Sequence, residues 1–514
     1  MSKVIDNKKI AKNTLYLYLR MIITTFVSLY TVRVVLAVLG KEDYGIYNVI
    51  GGIVILFSFL NHAMNSATQR FLSYEIGRND TEMFRKTFSM SINCHAIMAG
   101  IIFLLLETVG LWFLCTQMNI PIDRMEAAHW VYQFSIITFV LNILRVPYNA
   151  SIISYEKMSF YAYLSIFEVL LNLLIVLMLL LGISIDNLIL FSGLKCFVAI
   201  ICFFILFIYC KLNFINCKYS AFWDNLLFKR LFSFSGWSMM GAGSTLVSQN
   251  GSNILINIYC GVAVNAAYGI ANQVSAVIYS FVSNFQLAFQ PQIVKLYAAG
   301  KRDEQISLVN RASSISYYLL LIIFIPFVLN ADLVLNLWLK DVPRYAIQFC
   351  QWMLVYSLID AIQAPLWMSI TATGKVKVYS IWSSVLGFMN LPIAWLLLYL
   401  GYSPILVFIV RVVINLIAAI IRVIYVKDFL NFPIKKYINM VFLRALPVTL
   451  FAFFLSYYID CMFDDTITLF LIKICCIVFF TTSIIFMLGF SVAEKKFIVQ
   501  LIKLKFTRKY ESVQ

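Results

Sequence analysis

The residues best able to hold a polar ligand lie in the most apolar surroundings of this chain. Between 13 and 39, Asn13, Tyr16, Arg20, Thr24, Ser28 and Thr31 recur at three- or four-residue spacing. A helix would gather them on about one third of its circumference. A second stripe follows the turn Gly40-Lys41-Glu42-Asp43, where Ser58, Asn61 with His62, Asn65 and Gln69 keep the same spacing. An arginine offers a rigid fork of donors to a carboxylate or phosphate, whereas amides and hydroxyls suit neutral, hydroxyl-rich ligands. Holding an arginine at bilayer depth costs about 2.5 kcal/mol or more, so such a residue is a functional hypothesis by default. Arg20, Thr24, Asn61, Asn65 and Gln69 are the first candidates for a wet cavity. Arg33, near the other end of the first span, is the next.

The elements that must position these side chains follow from composition. Hydrophobic residues make up 62% of the 514 and charged residues 12%, and the mean hydropathy is +0.87. That is more apolar surface than a water-soluble core of this size could hide, so the chain reads as an all-α polytopic membrane protein. Segments long and apolar enough to cross a bilayer fall at 13–39, 44–69, 87–116, 127–150, 160–182, 185–210, 233–260, 262–290, 310–338, 345–370, 376–400, 403–425, 439–459 and 466–490, an expected fourteen spans. No short apolar segment with a small-residue cleavage site precedes the first span, which is expected to be retained. About 30 of the 40 basic residues fall in the connectors on the N-terminal side, against Lys41, Arg124, Lys340 and Arg344 opposite. This bias predicts both termini in the cytoplasm and explains the net charge of +16 without a nucleic-acid partner.

Self-comparison predicts a duplication. Pro147, Lys157, Tyr161, Ser165 and Asn172 recur 218 residues on, as Pro365, Lys375, Tyr379, Ser383 and Asn390. Tyr44-Gly45-Ile46 returns as Tyr268-Gly269-Ile270. The expected organisation is an N-terminal lobe over 1–210, an amphipathic interfacial linker over 211–232, a second six-span lobe over 233–425, and 426–514 holding two further spans and a basic tail. Such parallel repeats place a ligand site between the halves. Spans seven and eight should then carry stripes matching those of spans one and two, and Gln249, Asn250, Asn253 and Asn272 fit that expectation.

The remaining charges within spans include Glu168 and Asp360, candidates for coupling to a proton or sodium ion or else members of salt bridges. Lys195 and Arg411 are expected to pair with a carboxylate. His62, His95 and His129 lack metal-ligand spacing, and the sequence shows no phosphate loop and no nucleophile–base set, so neither an enzyme nor a metal site is expected. Eleven cysteines scattered through apolar runs read as small hydrophobes.

Four stretches carry a family resemblance: Asn13-Thr14-Leu15-Tyr16-Leu17-Tyr18-Leu19-Arg20, Ser28-Leu29-Tyr30-Thr31-Val32-Arg33-Val34-Val35-Leu36, Glu42-Asp43-Tyr44-Gly45-Ile46-Tyr47-Asn48-Val49 and Ala67-Thr68-Gln69-Arg70-Phe71-Leu72. Together they resemble the polysaccharide-transport, O-antigen flippase (Wzx-like) branch of the MOP/MATE exporter superfamily. The resemblance implies two six-helix lobes in a V, alternating access, and a cationic cavity for the diphosphate-sugar head of an undecaprenyl-linked oligosaccharide. It also implies a groove for the prenyl tail on the two last helices, a bacterial inner-membrane location, and contact with membrane lipids and with a polysaccharide polymerase or glycosyltransferases. A MATE-type multidrug or small-solute antiporter is the alternative, expected to show twelve spans and an acidic, aromatic cavity. A membrane polymerase or ligase would need a large outer loop, and every outer connector here is short.

Overall fold

A computed structural model describes residues 7–55, 58–118, 120–181, 186–339, 341–462, 467–490 and 495. Among these the chain is helical, with no strand. The first half runs α1 (Asn7–Ile55, broken at Gly40), α2 (Ser58–Arg78), α3 (Thr81–Leu105), α4 (Leu111–Thr116), α5 (Met125–Leu144), α6 (Val146–Ser154), α7 (Met158–Leu179) and α8 (Asn187–Asn213). The second runs α9 (Asn225–Cys260), α10 (Val262–Ala298), α11 (Arg302–Leu329), α12 (Ala331–Trp338), α13 (Ala346–Thr373), α14 (Lys377–Tyr399) and α15 (Ile405–Leu430), followed by α16 (Ile434–Tyr437), α17 (Leu443–Met462) and α18 (Ile467–Ile484).

Eleven of these helical stretches are long and apolar enough to cross a membrane. The expected spans missing from that set are 44–69, 233–260 and 262–290, the ones whose amides, serines and glycines form the polar stripes. The last two lie in long helices, with 36 residues in α9 and 37 in α10, whereas 44–69 runs across residues 56 and 57, which lie outside the described residues. A polar stripe lowers the mean hydropathy of the helix that carries it, which keeps α9 and α10 out of a count based on apolarity.

Helix starts follow local chemistry. Asp80 accepts the Met83 amide of α3, Asp186 those of Leu188 and Ile189 in α8, and Asp224 that of Leu226 in α9, each satisfying donors that the first turn leaves open. Arg124 bridges Asp43 and Asp186, joining the turn after Gly40 to the start of α8. Burial pushes the Asp186 carboxyl up, but Arg124 and the two helix amides outweigh it and hold it below the ordinary range. The stretch 214–224 is irregular, and of 222–232, expected as an amphipathic interfacial helix, the part from Asn225 onward opens α9. Ser220 is bonded to Ser89 and the Phe222 carbonyl accepts from Asn93, which fixes this stretch along α3 and makes Phe228 and Phe232 part of α9. Pro147 opens α6 after a break at Arg145, whereas Pro365 is absorbed inside α13.

The repeat is visible in the backbone as well. Left-handed residues end corresponding helices: Gly40 and Gly261, Asn79 and Gly300, and Glu156 and Gly374, the last pair at the 218-residue offset of the sequence match.

By contacts the chain forms two compact units. One takes in 1–246, 287–305 and 368–385, and the other 247–286, 306–367 and 386–514. In the first, α1 packs along α7 and α5, α2 along α6 and α3, and α5 along α8. In the second, α17 and α18 form a hairpin clamped by Lys473, only 3% exposed, whose Nζ lies 2.8 Å from Asp460. Removing one partner of a buried pair costs about 3–5 kcal/mol. Asp460→Asn is therefore expected to lower the melting temperature in detergent more than Lys473→Met, because it strands the more buried charge. The double variant should recover most of the loss, and a double variant as unstable as Asp460→Asn would contradict the pairing.

Candidate functional site

The first unit holds the stripe with unmet hydrogen-bonding capacity. On α2, Asn61, Asn65 and Gln69 follow one another at four-residue steps, and Asn61 Oδ1, Asn65 Oδ1 and Gln69 Nε2 are buried with no partner among the described residues. Gln69 as a whole is 6% exposed. Each unmet group costs about 1–3 kcal/mol unless something bonds to it. On α1, Thr14 Oγ1 is likewise buried without a partner, and the Arg20 guanidinium lies 4.9 Å from the centre of the Tyr161 ring. Other α1 candidates contribute less. Thr24 gives its hydroxyl to the Met21 carbonyl of its own helix, and Arg33 is exposed.

In the second unit several residues of the matching stripes and their neighbours bond to one another. Asn390 Nδ2 donates to Ser248 and Ser252, and the Tyr268 hydroxyl donates to the Gln249 carbonyl. Tyr279 donates to Asp360 at 2.6 Å, and Gln286 to Ser316. Asn253 and Asn272 are half-buried, and Asn250 is exposed. The two halves thus share a pattern of polar positions, and among the described residues buried amide atoms without a partner occur on both stripes, on Asn61, Asn65 and Gln69 of α2 and on Asn265 of α10.

The span charges have partners of two kinds. Glu168 forms a salt bridge with Arg145 at 3.2 Å. Among the described residues, Lys195 and Arg411 form no ion pair with the expected carboxylates. Lys195 bonds the Tyr47 hydroxyl and lies over the Tyr47 and Phe191 rings, and Arg411 lies over the Tyr356 ring at 4.6 Å. Aromatic faces attract cations electrostatically without adding a second buried charge, which explains how acid-poor spans accommodate them.

Lys9, Arg70 and Lys295, counted in the sequence among the connector charges that set topology, are joints of the first unit, together with Glu156, which the sequence did not single out. Glu156, its side chain 5% exposed, receives Lys295 at 2.6 Å, Lys9 at 2.9 Å and Gln292 at 3.2 Å, while its carbonyl accepts from Asn13. Arg70 donates to the Ala372 carbonyl at 2.8 Å, where a cation suits the C-terminal end of α13, and sits over Phe71 and Tyr74. Gln305 donates to Ser369. These bonds tie the ends of α10 and α13 to the first half of the chain. One signal was available: aligning the repeat places Glu156 opposite Gly374, a position whose backbone is left-handed in both copies.

Solved structures match this arrangement over most of the chain. A MATE protein in its straight conformation superposes with a TM-score of 0.69 at 14% identity, covering 82% of this chain and 96% of that one. The fold is that of the MATE transporters. An outward-facing multidrug resistance MATE family transporter of the MOP superfamily gives 0.68 at 14% identity over 82% and 96%. A MOP superfamily transporter from Pyrococcus furiosus, described by the reverse polarity of its binding pocket, gives 0.65 at 14% identity over 84% and 99%. No family model matches the sequence, and no curated protein matches it. Identity this low shows the MATE fold alone, so the cargo has to be argued from the residues.

Proposed function

We propose that this chain is a transporter that flips an undecaprenyl-diphosphate-linked oligosaccharide, such as an O-antigen, capsule or exopolysaccharide repeat unit, from the cytoplasmic to the outer leaflet of a bacterial inner membrane. The observation that supports this reading most is the open stripe on α2, with buried amide atoms of Asn61, Asn65 and Gln69 unbonded. Sugar hydroxyls both donate and accept, so they can satisfy an amide oxygen and an amide nitrogen alike. Arg20, on the preceding helix, supplies a cation whose planar fork fits a diphosphate. Glu168 and Asp360 are already bonded to Arg145 and Tyr279, which leaves little acidity for a cationic cargo. Entry of the head group from the basic end requires the Glu156–Lys295 and Arg70–Ala372 contacts to part, while the prenyl tail stays in lipid. Coupling to a proton or sodium ion through Glu168 would have to compete with Arg145.

A MATE-type antiporter for drugs or small solutes draws equal support from the fold, because a multidrug transporter is among the neighbours. The two readings differ in the charge of the ligand. Arg20→Ala is expected to weaken binding of an undecaprenyl-diphosphate sugar about 10- to 100-fold, the loss of charge-assisted bonds. Gln69→Leu is expected to weaken it while raising the melting temperature of the empty protein, because an unmet buried group is removed. Titration of the purified protein with the lipid-linked sugar and with a cationic dye checks both. Tight dye binding that is indifferent to Arg20→Ala, with no lipid-linked sugar bound, favours the antiporter.

A further inference from the structure

A separate cavity of about 810 Å³ lies in the second unit, between α15 and the stretch from Phe432 to Phe442. That volume is within the ~300–1,000 Å³ usual for ligand pockets. Ile420, Ile424, Ile438 and Phe442 supply part of an almost wholly apolar wall, and all four are exposed, as side chains facing lipid would be. The polar contribution comes from Lys427 and Lys435. Their meeting is a consequence of the chain reversal: α15 ends at a left-handed Asn431, Pro433 follows, and α16 starts at Ile434. This sets the last turn of α15 beside the first turn of α16. No residue lining the cavity is acidic, and neither lysine forms an ion pair among the described residues. Two ammonium groups on an apolar slot have the chemistry of one molecule: an anionic head on a hydrocarbon chain.

We propose that this groove binds an anionic glycerophospholipid of the leaflet facing the basic, cytoplasmic end, with an acyl chain along α15 and the phosphate between Lys427 and Lys435. Basic pockets between helices at that face hold acidic headgroups by charge, while the chain gains apolar contact. The groove shares Ile438 and Phe442 with the membrane helix that continues into α17, but its other wall is α15, whereas the prenyl groove implied by the family resemblance lies between the two last helices. The proposal does not depend on the cargo. A soluble phosphate ester would leave the apolar wall uncovered, and a zwitterionic lipid would bring a second cation against two lysines.

The test is native mass spectrometry of the full-length protein in detergent, titrated with phosphatidylglycerol or with phosphatidylcholine of the same chains. Preferential retention of one phosphatidylglycerol is expected. Lys427→Gln with Lys435→Gln should weaken it about 30-fold and leave phosphatidylcholine unaffected. Ala419→Trp, which fills the slot and keeps both lysines, should weaken it too, and sn-glycerol 3-phosphate at millimolar concentration should not displace it. Equal retention of phosphatidylcholine, wild-type affinity in either monodisperse variant, displacement by glycerol phosphate, or preference for undecaprenyl phosphate would each overturn the assignment.

Discussion

Glu156→Gln is expected to lower stability by about 3 kcal/mol, the lower end of the range for breaking a buried ion pair. Lys295, with its side chain 19% exposed, would lose its carboxylate, whereas the loss at the half-exposed Lys9 would matter little. The backbone supplies an internal check. Glu156 has a φ of 59°, a region costly for any residue with a Cβ. Glu156→Gly should therefore be more stable than Glu156→Ala by about 1 kcal/mol, although both remove the carboxylate. The pH dependence has a definite sign. Burial pushes the Glu156 carboxyl up, but Lys295 and Lys9 outweigh it and leave it below the ordinary carboxylate range. A lowered folded pKa means that the stabilisation is fully present above the ordinary carboxylate pKa and is lost as pH falls through the lowered value. Melting of wild type and Glu156→Gln in detergent should then differ by a constant amount from pH 7 to pH 5 and converge only at more acidic pH. Convergence already at pH 6 would show that the charge pair is not what holds these helices.

Gly77→Ala should separate α2 from α10 at the same joint. A Cβ on Gly77 would fall 2.6 Å from the Lys295 carbonyl oxygen, 2.7 Å from its Cα and 2.8 Å from the Ala298 Cβ. Two of these atoms are backbone and cannot swing aside, so the helices must move apart and carry Lys295 away from Glu156. Overpacking of this kind costs about 1–3 kcal/mol, more than the roughly 1 kcal/mol that alanine gains over glycine in a helix. Gly236→Ala, where a Cβ meets nothing within 4 Å, is the control and should be neutral or slightly stabilising. Equal melting temperatures for the two variants would contradict the close crossing. If the joint opens during transport, both Gly77→Ala and the Glu156 variants should increase labelling of a cysteine placed at Ser154.

The fold was legible because apolar length is a property of the sequence itself. The repeat was legible where it falls on Pro147, Lys157 and Asn172, residues uncommon enough in an apolar chain to mark an offset. Two of the expected apolar spans, 233–260 and 262–290, lie in long helices although their polar stripes keep them out of a count based on apolarity. What the sequence left hidden is partner choice. Lys195 and Arg411 settle on aromatic rings because the spans offer many more of these than carboxylates. Arg70 and Lys295 looked like connector charges and Glu156 drew no notice, and only their burial in three dimensions separates them from solvated ones. Likewise the stripes on α2 and α10 look equivalent in sequence. Yet Tyr279 and Gln286 on α10 find Asp360 and Ser316, while Asn61, Asn65 and Gln69 on α2, like Asn265 on α10, keep buried amide atoms without a partner among the described residues.

The central claim is tested most directly by reconstituting the wild-type protein in liposomes and following a fluorescent undecaprenyl-diphosphate-linked sugar from one leaflet to the other. Protein-dependent translocation that collapses in a folded Arg20→Ala variant is the predicted result. Absence of translocation by folded wild type across several glycans and ion gradients, together with gradient-driven efflux of a cationic dye from the same liposomes, would contradict it.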